Sequence, residues 1–438
     1  MESWDTARRL AQLSTTDKKR LLAQLLRDKA RAQAAGQREP GSRAYVEDAV
    51  LEERIQPAGP ASHVAAPKSV FLTGATGFLG AHLLDDLCRC TDATIHCLVR
   101  ARNLDDAWQR LQANFSRYFA HTLNARRVLP VLGDLAQPRL GLAADTFARL
   151  ALDTDVIFHN GAHLHHLAPY TQLKGANVSS TVAILELATT ARPKWIHYVS
   201  TLVAAVDRDP DGWLLEQFPR CDQPELASGY AQSKWVSEKL LAQASRRGIG
   251  VTIFRPGLIS GRSDSGIWPA ENDHVLRVLK GCLQMGYAPD SDILFDMAPV
   301  DFISAAIVRI ALNEASGGYV FNLSNPRAAR WSNLLHWVQD CGYPVQVLPE
   351  VAWREQHLKR IDSNNALFPV LPLYLGGHTT DQHAALLTKL SKVRRDHTTR
   401  MLERLQMDFP AIDQPLWRRY MRFFHDCGFL NTPALATA

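Results

Sequence analysis

The stretch Ser69-Val-Phe-Leu-Thr-Gly-Ala-Thr-Gly-Phe-Leu-Gly80, running on into Ala81-His-Leu-Leu-Asp-Asp-Leu87, spells a strand, a glycine turn and a helix start. Gly74 and Gly77 permit a tight turn and let a pyrophosphate approach bare backbone, while Gly80 lets the helix pack on the strand, so phosphate charge meets the helix N-terminus. Thr73, Thr76, Phe78 and Leu79 complete this nucleotide-binding turn. Glycine turns also serve ordinary loops, so the pattern alone is weak. Two further signals follow it in order, Ser200-Thr201 and Tyr230-Ala-Gln-Ser-Lys234, and the ordered trio makes the chain readable.

Working outward, Ala93-Thr-Ile-His-Cys-Leu-Val99 is a short apolar strand that ends in Arg100-Ala-Arg102. An NAD site places a carboxylate about 20 residues beyond the glycines to hold the ribose 2′-hydroxyl. Here Arg100 stands in that place with Arg102 beside it, and two guanidinium forks suit a 2′-phosphate, so NADPH is favoured over NADH. Solvated loop charges are the bland alternative. Further strands, Arg127-Val-Leu-Pro-Val-Leu132 and Val156-Ile-Phe-His159, lead into Gly133-Asp134-Leu135 and Asn160-Gly161-Ala162. In a parallel sheet both turns sit at carboxyl ends, where ligands collect. Asp134 is placed to accept from an adenine amino group, and Gly161-Ala162 lets a nucleotide pass close to backbone, although plain turn chemistry explains both as well.

Trp195-Ile-His-Tyr-Val199 delivers Ser200-Thr201 to the same edge, and Tyr230 and Lys234 stand one helical turn apart on one face. A tyrosine with a pKa near ~10 is a poor acid or base at neutral pH, and an ammonium held under it lowers the cost of phenolate. Thr201 adds a second hydroxyl donor, so a carbonyl oxygen can be gripped while a hydride reaches its carbon. Asn177, near the start of the helix from Leu173 to Ala188, is a polar residue expected to point at the site. His163-Leu-His165-His166 lacks a carboxylate or cysteine at ligand spacing, so no metal is expected.

A chain of 438 residues exceeds a single core of ~250–300 residues, so two domains are expected. A net charge of +5 spread over that length, with no basic stripe interleaved with aromatics, argues against nucleic acid. Seven cysteines without a CxxC pair suggest neither zinc nor a disulfide frame, and fit reduced thiols in a cytoplasm. No signal pattern opens the chain, and no apolar run approaches the ~20 residues of a membrane helix, so a cytoplasmic protein with no membrane association is expected.

The organisation expected is an amphipathic helical extension over 1–36, a linker over 37–66, a dinucleotide-binding domain over 67–262, and a smaller, mainly helical substrate domain over 263–438. In the extension Leu22, Leu25, Leu26 and Ala30 share a face, with Ser14 and Asp17 able to cap. It either lies on its own domain or docks a partner protein. Pro40, Gly41, Pro57, Gly59, Pro60 and Pro67 mark the linker. In the substrate domain, Val275, Leu276, Val278 and Leu279 and then Ile303, Ile307 and Ile310 form apolar helix faces. A strand over 319–323 is expected to return to the main sheet. Trp268, Met285, Tyr287, Phe295 and Met297 are pocket candidates that core packing explains equally well.

Taken in series, Thr73 to Gly80, His159 to Ala162, Pro169 to Val178, Ser200 to Leu202, Gly229 to Glu238, Arg255-Pro-Gly-Leu-Ile-Ser-Gly261, Pro299-Val-Asp301 and Cys427-Gly-Phe-Leu430 resemble the extended short-chain dehydrogenases. Within that group the chain resembles, over about residues 66 to 432, the thioester reductase domains that end nonribosomal peptide and polyketide synthases and carboxylic acid reductases. The resemblance implies an α/β Rossmann-type doubly wound parallel sheet. It also implies NADPH-dependent reduction of an acyl group carried as a phosphopantetheine thioester, with release of an aldehyde and in some members an alcohol. By the same resemblance Gly74, Gly77 and Gly80 hold pyrophosphate, Arg100 and Arg102 the 2′-phosphate, Thr201, Tyr230 and Lys234 act in catalysis, and Pro256-Gly257-Leu258 lie near the nicotinamide.

Such domains follow a carrier domain, whereas here a short helical region and a linker precede the glycine turn. Leu375-Gly-Gly-His-Thr-Thr380 has a threonine where a pantetheine-bearing serine would stand, so the expectation is a discrete, monomeric reductase acting on a partner's carrier domain, and an excised or split module would look the same. The runner-up is a reductase of a free small-molecule carbonyl or acyl-CoA, and a third reading is an NADPH-binding redox sensor. The intact Thr201, Tyr230 and Lys234 argue against the third, because a sensor needs no oxyanion grip.

Overall fold

The computed structural model describes residues 44–165, 167–226, 228–270, 273–313, 317–371, 374 and 392–431. The amphipathic segment around Leu22 to Ala30 and the loop Leu375 to Thr380 lie outside the described residues.

Seven strands form one parallel sheet: β1 (Ser69–Thr73), β2 (Thr94–Val99), β3 (Val128–Leu132), β4 (Val156–His159), β5 (Trp195–Val199), β6 (Val251–Pro256) and β7 (Val320–Leu323), in the order β3-β2-β1-β4-β5-β6-β7. They are near-continuous apolar runs because both faces are covered. On one face lie α1 (Phe78–Cys90), α2 (Leu104–Phe115) and a later helix, Val300–Ala311, whose Ile303, Ile307 and Ile310 share a core with Leu83, Leu87 and Leu111. On the other lie three helices. They are α3 (Ala144–Asp153), α4, which runs through Tyr170–Lys174, a π-helical turn Gly175–Ser179 and Ser180–Thr189, and α5 (Gly229–Arg246).

The sheet grows outward in both directions from the β1–β4 pair, where Thr73 is in register with His159. That reversal opens a crevice at the carboxyl ends, the place where ligands bind in doubly wound sheets. β7, the strand expected near 319–323, pairs parallel with β6, Val320 opposite Ile253. Beyond β6 the chain builds a second apolar core around Trp268, Leu276, Leu279, Trp331, Leu334, Trp417 and Phe424. Of the five pocket candidates, Trp268, Phe295 and Met297 are buried in this core and Met285 and Tyr287 pack against it. They are core side chains, because a sequence position alone does not separate an aromatic that lines a pocket from one that fills an interior.

The stretch expected to be a linker is in part packed structure. A short helix Ala44–Glu47 leads a strap in which Tyr45, Ala49, Leu51 and Ile55 are buried. Tyr45 stands edge-on to Trp235 at 5.7 Å, and Gln243 Nε2 donates to the Ala49 carbonyl at 2.7 Å. Arg247 donates to the carbonyls of Leu51 and Ile55 at 2.9 Å. The apolar residues are widely spaced among acidic ones, so no single period announces them, yet together they cover α5. Among the described residues no helix is long and apolar enough to cross a membrane.

Candidate active site

At the crevice, Gly74 adopts φ +78°, a left-handed conformation that favours glycine. A Cβ there would stand 2.8 Å from Asn160 Nδ2 and from the Gly161 backbone, and one at Gly80 would lie 1.9 Å from the Gly74 carbonyl oxygen. The cradle is thus bare backbone shaped by two turns in contact, and it fits a dinucleotide pyrophosphate. α1 starts at Gly77 with no side-chain cap, so its first N–H groups have no intrahelical partner and face the turn. Thr76 and Gly77 are exposed at its rim, with Phe78 and Leu79 half-buried behind them.

Thr73 has a different job from the one a turn residue suggests. It is fully buried, and its hydroxyl oxygen accepts from the Gly161 N–H at 2.9 Å and meets His159 Nδ1 at 2.8 Å, tying the β1 turn to the β4 turn. Asn114 of α2 donates to the carbonyls of Ala75 at 3.3 Å and Gly77 at 3.1 Å and pins the loop from the other side. No local pattern marks Asn114, which is an ordinary polar residue near a helix end.

Arg100 and Arg102 emerge at the end of β2, both largely exposed. Arg100 Nη1 lies 3.8 Å from Asp134 Oδ2, which brings the β2 arginine and the β3 turn to one place. Arg102 is engaged with Asp106 through its Nε at 3.2 Å, and this carboxylate holds its guanidinium above the usual pKa. Arg110 of α2 donates to the Arg100 carbonyl, so a third guanidinium stands at the same corner. The sequence hides Arg110 because it sits mid-helix. Leu135 faces Gly161, where an added Cβ would meet its Cδ1 at 2.8 Å, and Ala162 is exposed beyond it.

The three residues expected in catalysis, Thr201, Tyr230 and Lys234, come from the end of β5 and from α5. Thr201 is extended (φ −160°, ψ 151°) and its Oγ1 accepts from the Val203 N–H at 3.4 Å, which leaves its proton to donate outward. Ser228 caps α5 by accepting from the Ala231 N–H, so Tyr230 lies in the first turn. Gly229 is required beside it, since a Cβ would strike the Tyr170 nitrogen at 2.4 Å. Tyr230 is half-buried, and desolvation pushes its phenol up to about 12.

Lys234 is buried and its Nζ donates to Tyr198 Oη at 2.9 Å and to the Val199 carbonyl at 2.7 Å. Burial brings the ammonium down to about 7, opposed by the field of Glu238. The raised phenol of Tyr230 keeps its proton at neutral pH.

Asn177 sits in the π-helical turn, buried, with Oδ1 accepting from the His163 N–H at 2.7 Å and Nδ2 donating to the His163 carbonyl at 3.1 Å and to Ser233 Oγ at 2.8 Å. Its side chain braces the loop after β4 against α5, so its link to a cofactor runs through that loop. Below the site Glu238 and Arg255 form a buried ion pair, Oε2 to Nη2 at 2.5 Å, and Ser200 donates to Glu238 Oε1 at 2.5 Å. Pro256 ends β6 in the core, while Gly257 packs on Asp296, whose Oδ2 lies 2.4 Å from where a Cβ would be. Leu258 donates its N–H to the Asp296 carbonyl at 2.8 Å.

A family model for NAD binding, described as male sterility protein, matches residues 72–307. The chain belongs to this family. A crystal structure of the terminal R domain from the myxalamid PKS-NRPS biosynthetic pathway is 37% identical with a TM-score of 0.79, covering 90% of this chain and 99% of that one. The reductase (R) domain of a nonribosomal peptide synthetase from Mycobacterium tuberculosis is 25% identical with a TM-score of 0.71, covering 89% of this chain and 99% of the other. A linear gramicidin synthase polypeptide of Brevibacillus parabrevis is 36% identical over 396 residues, 88% of this chain. The chain spans 8% of that synthase and 26–28% of two other curated relatives. This member of the family is an oxidoreductase of the reductase-domain kind, and its site takes a nicotinamide cofactor.

Proposed function

We propose that the chain is an NADPH-dependent thioester reductase that acts on an acyl or peptidyl group borne by the phosphopantetheine of a carrier domain and releases an aldehyde. The observation that supports this most is the convergence on one sheet edge of the bare glycine cradle, the arginine corner at Arg100, and Thr201 with Tyr230 and Lys234. The 99% coverage of a terminal R domain supports the thioester chemistry.

Gly74, Gly77 and Gly80 would hold the pyrophosphate, Arg100, Arg102 and Asp134 the adenosine end, and Pro256-Gly257-Leu258 the nicotinamide side. The bound cofactor supplies a hydride for the thioester carbonyl carbon. Thr201 and Tyr230 donate hydrogen bonds to the carbonyl oxygen as negative charge develops there, and Tyr230 passes its proton to that oxygen. The resulting hemithioacetal breaks its C–S bond, the sulfur leaves as thiol, and the carbonyl of the aldehyde forms. Lys234 holds positive charge beneath the tyrosine and would hold the nicotinamide ribose.

The test offers one acyl group as free acid, coenzyme A thioester and carrier-bound thioester, each with NADPH, and follows absorbance loss. Carrier-bound thioester should turn over with the highest kcat/KM and yield aldehyde. Equal use of the free small-molecule forms would replace this function with a reductase of soluble carbonyl or acyl-CoA substrates, and alcohol accumulation would make it a four-electron reductase.

A further inference from the structure

We propose that Tyr198 is a positioning residue for Lys234: its buried phenol anchors the ammonium beneath the catalytic tyrosine, favouring its charged form and aiming it where no water can hold it. This rests on the reading of Lys234 as the lysine that serves a nicotinamide cofactor.

The argument starts from desolvation. Lys234 is 2% exposed and Tyr198 1% exposed, so the ammonium has lost its hydration and must find acceptors within the protein. An ammonium has three protons to donate. Two of them go to consecutive residues at the end of β5, Tyr198 Oη at 2.9 Å and the Val199 carbonyl at 2.7 Å, and Nζ stands 4.3 Å from the centroid of the Tyr198 ring. The third is left for a ligand.

Other groups facing the ammonium do not serve as its anchor. Glu238, one turn along α5, spends both carboxylate oxygens on Arg255 of β6 and on Ser200. Tyr230, one turn back, keeps its proton. His159 of β4 is held neutral, pushed down to about 3 by burial and by Lys234 itself. Tyr198 is thus the side chain that accepts from Lys234 while remaining uncharged, since burial also drives its own pKa up.

The phenol is fixed in turn. Thr181 and Ser237 flank it and each gives its own proton to the Asn177 carbonyl at 2.9 Å, on the π-helical turn of α4, so the single phenol proton goes to one of their two hydroxyl oxygens. The same turn therefore braces the loop after β4 with the Asn177 side chain and the lysine anchor with the Asn177 backbone. The tyrosine stands three residues before Thr201 on β5, so one strand end sets the hydroxyl that grips the substrate and the phenol that holds the lysine.

The test is Tyr198→Phe in the full chain, which removes one oxygen and keeps the ring. NADPH affinity is measured by fluorescence titration from about pH 6 to about pH 9, alongside kcat and KM, bracketing a lysine brought near neutrality. In the wild type, affinity should fall as Lys234 loses its proton. In Tyr198→Phe that fall should move to lower pH by roughly one unit, the loss of one hydrogen bond to a charged group, with KM for NADPH raised more than kcat is lowered near pH 8. A second variant, Thr181→Val, leaves the Tyr198–Lys234 contact and loosens the phenol, and should give a smaller displacement in the same direction. A lowered Tm with the wild-type pH profile in these variants would overturn the positioning role. Wild-type NADPH binding by Lys234→Ala at every pH would instead sink the reading of Lys234 on which the proposal rests.

Discussion

The two ends of this crevice carry the same kinds of charge under opposite conditions. At the adenosine end, Arg100 and Arg102 are mostly in water and their carboxylate partners, Asp134 and Asp106, lie at the surface. At the catalytic end, Lys234, Glu238 and Arg255 are sealed from solvent, and Tyr198 with them. Exposed pairs are worth little to the fold and are screened by salt, which leaves them free to exchange partners for a phosphate. Buried charges must be fully partnered, and removing one partner leaves an uncompensated ion. On the proposed function, the first region selects a ligand and the second holds a proton donor still.

The largest expected effect breaks the buried end. Tyr230→Phe should lower kcat by roughly 10²–10⁴ while NADPH binds as before, as expected for loss of a general acid. Next comes the ion pair under the site. Glu238→Ala strands Arg255 and should cost about 3–5 kcal/mol of stability, read as a fall in the urea midpoint. An unchanged midpoint would mean that water reaches Arg255. Sharpening the exposed end, Arg100→Ala should weaken NADPH binding about ten- to hundredfold at low salt and leave NADH nearly untouched. Equal loss for both cofactors would remove the phosphate from that corner. Smallest of all, Arg102→Ala should leave stability unchanged and weaken NADPH binding only a few-fold, with the difference shrinking as salt is raised.

What the sequence made legible was local. The glycine turn, the Tyr230–Lys234 spacing and the arginines closing β2 each lie within a few residues of one another, so one stretch carries the whole signal. The alternation of apolar runs and helical stretches likewise carried the parallel sheet and its returning strand. The rest depends on pairings across the chain. Tyr198 and Lys234 are 36 residues apart, Asn114 and Gly77 37, and Tyr45 meets the Pro224 carbonyl across 179. These are common residue types whose meaning appears only when the fold closes. The strap from Ala44 to Ile55 was hidden for the same reason, since prolines and glycines around it announce a linker while four separated apolar side chains dock on α5 and its neighbours. Helical spacing places Lys234 under Tyr230 but does not say which acceptors claim its protons, here Tyr198 Oη and the Val199 carbonyl.

The most direct measurement crosses the two ends in one experiment: single-turnover reduction of a carrier-bound thioester, with NADPH dissociation constants determined on the same preparations, for wild type, Arg100→Ala, Tyr230→Phe and the double variant. The two changes should separate cleanly. Arg100→Ala should alter affinity and leave the saturated rate alone, Tyr230→Phe should alter the rate and leave affinity alone, and the double variant should show both effects in full, as for sites without shared partners. A near wild-type rate in Tyr230→Phe, or an Arg100→Ala variant that loses rate at saturating NADPH, would contradict this division of labour between the two ends.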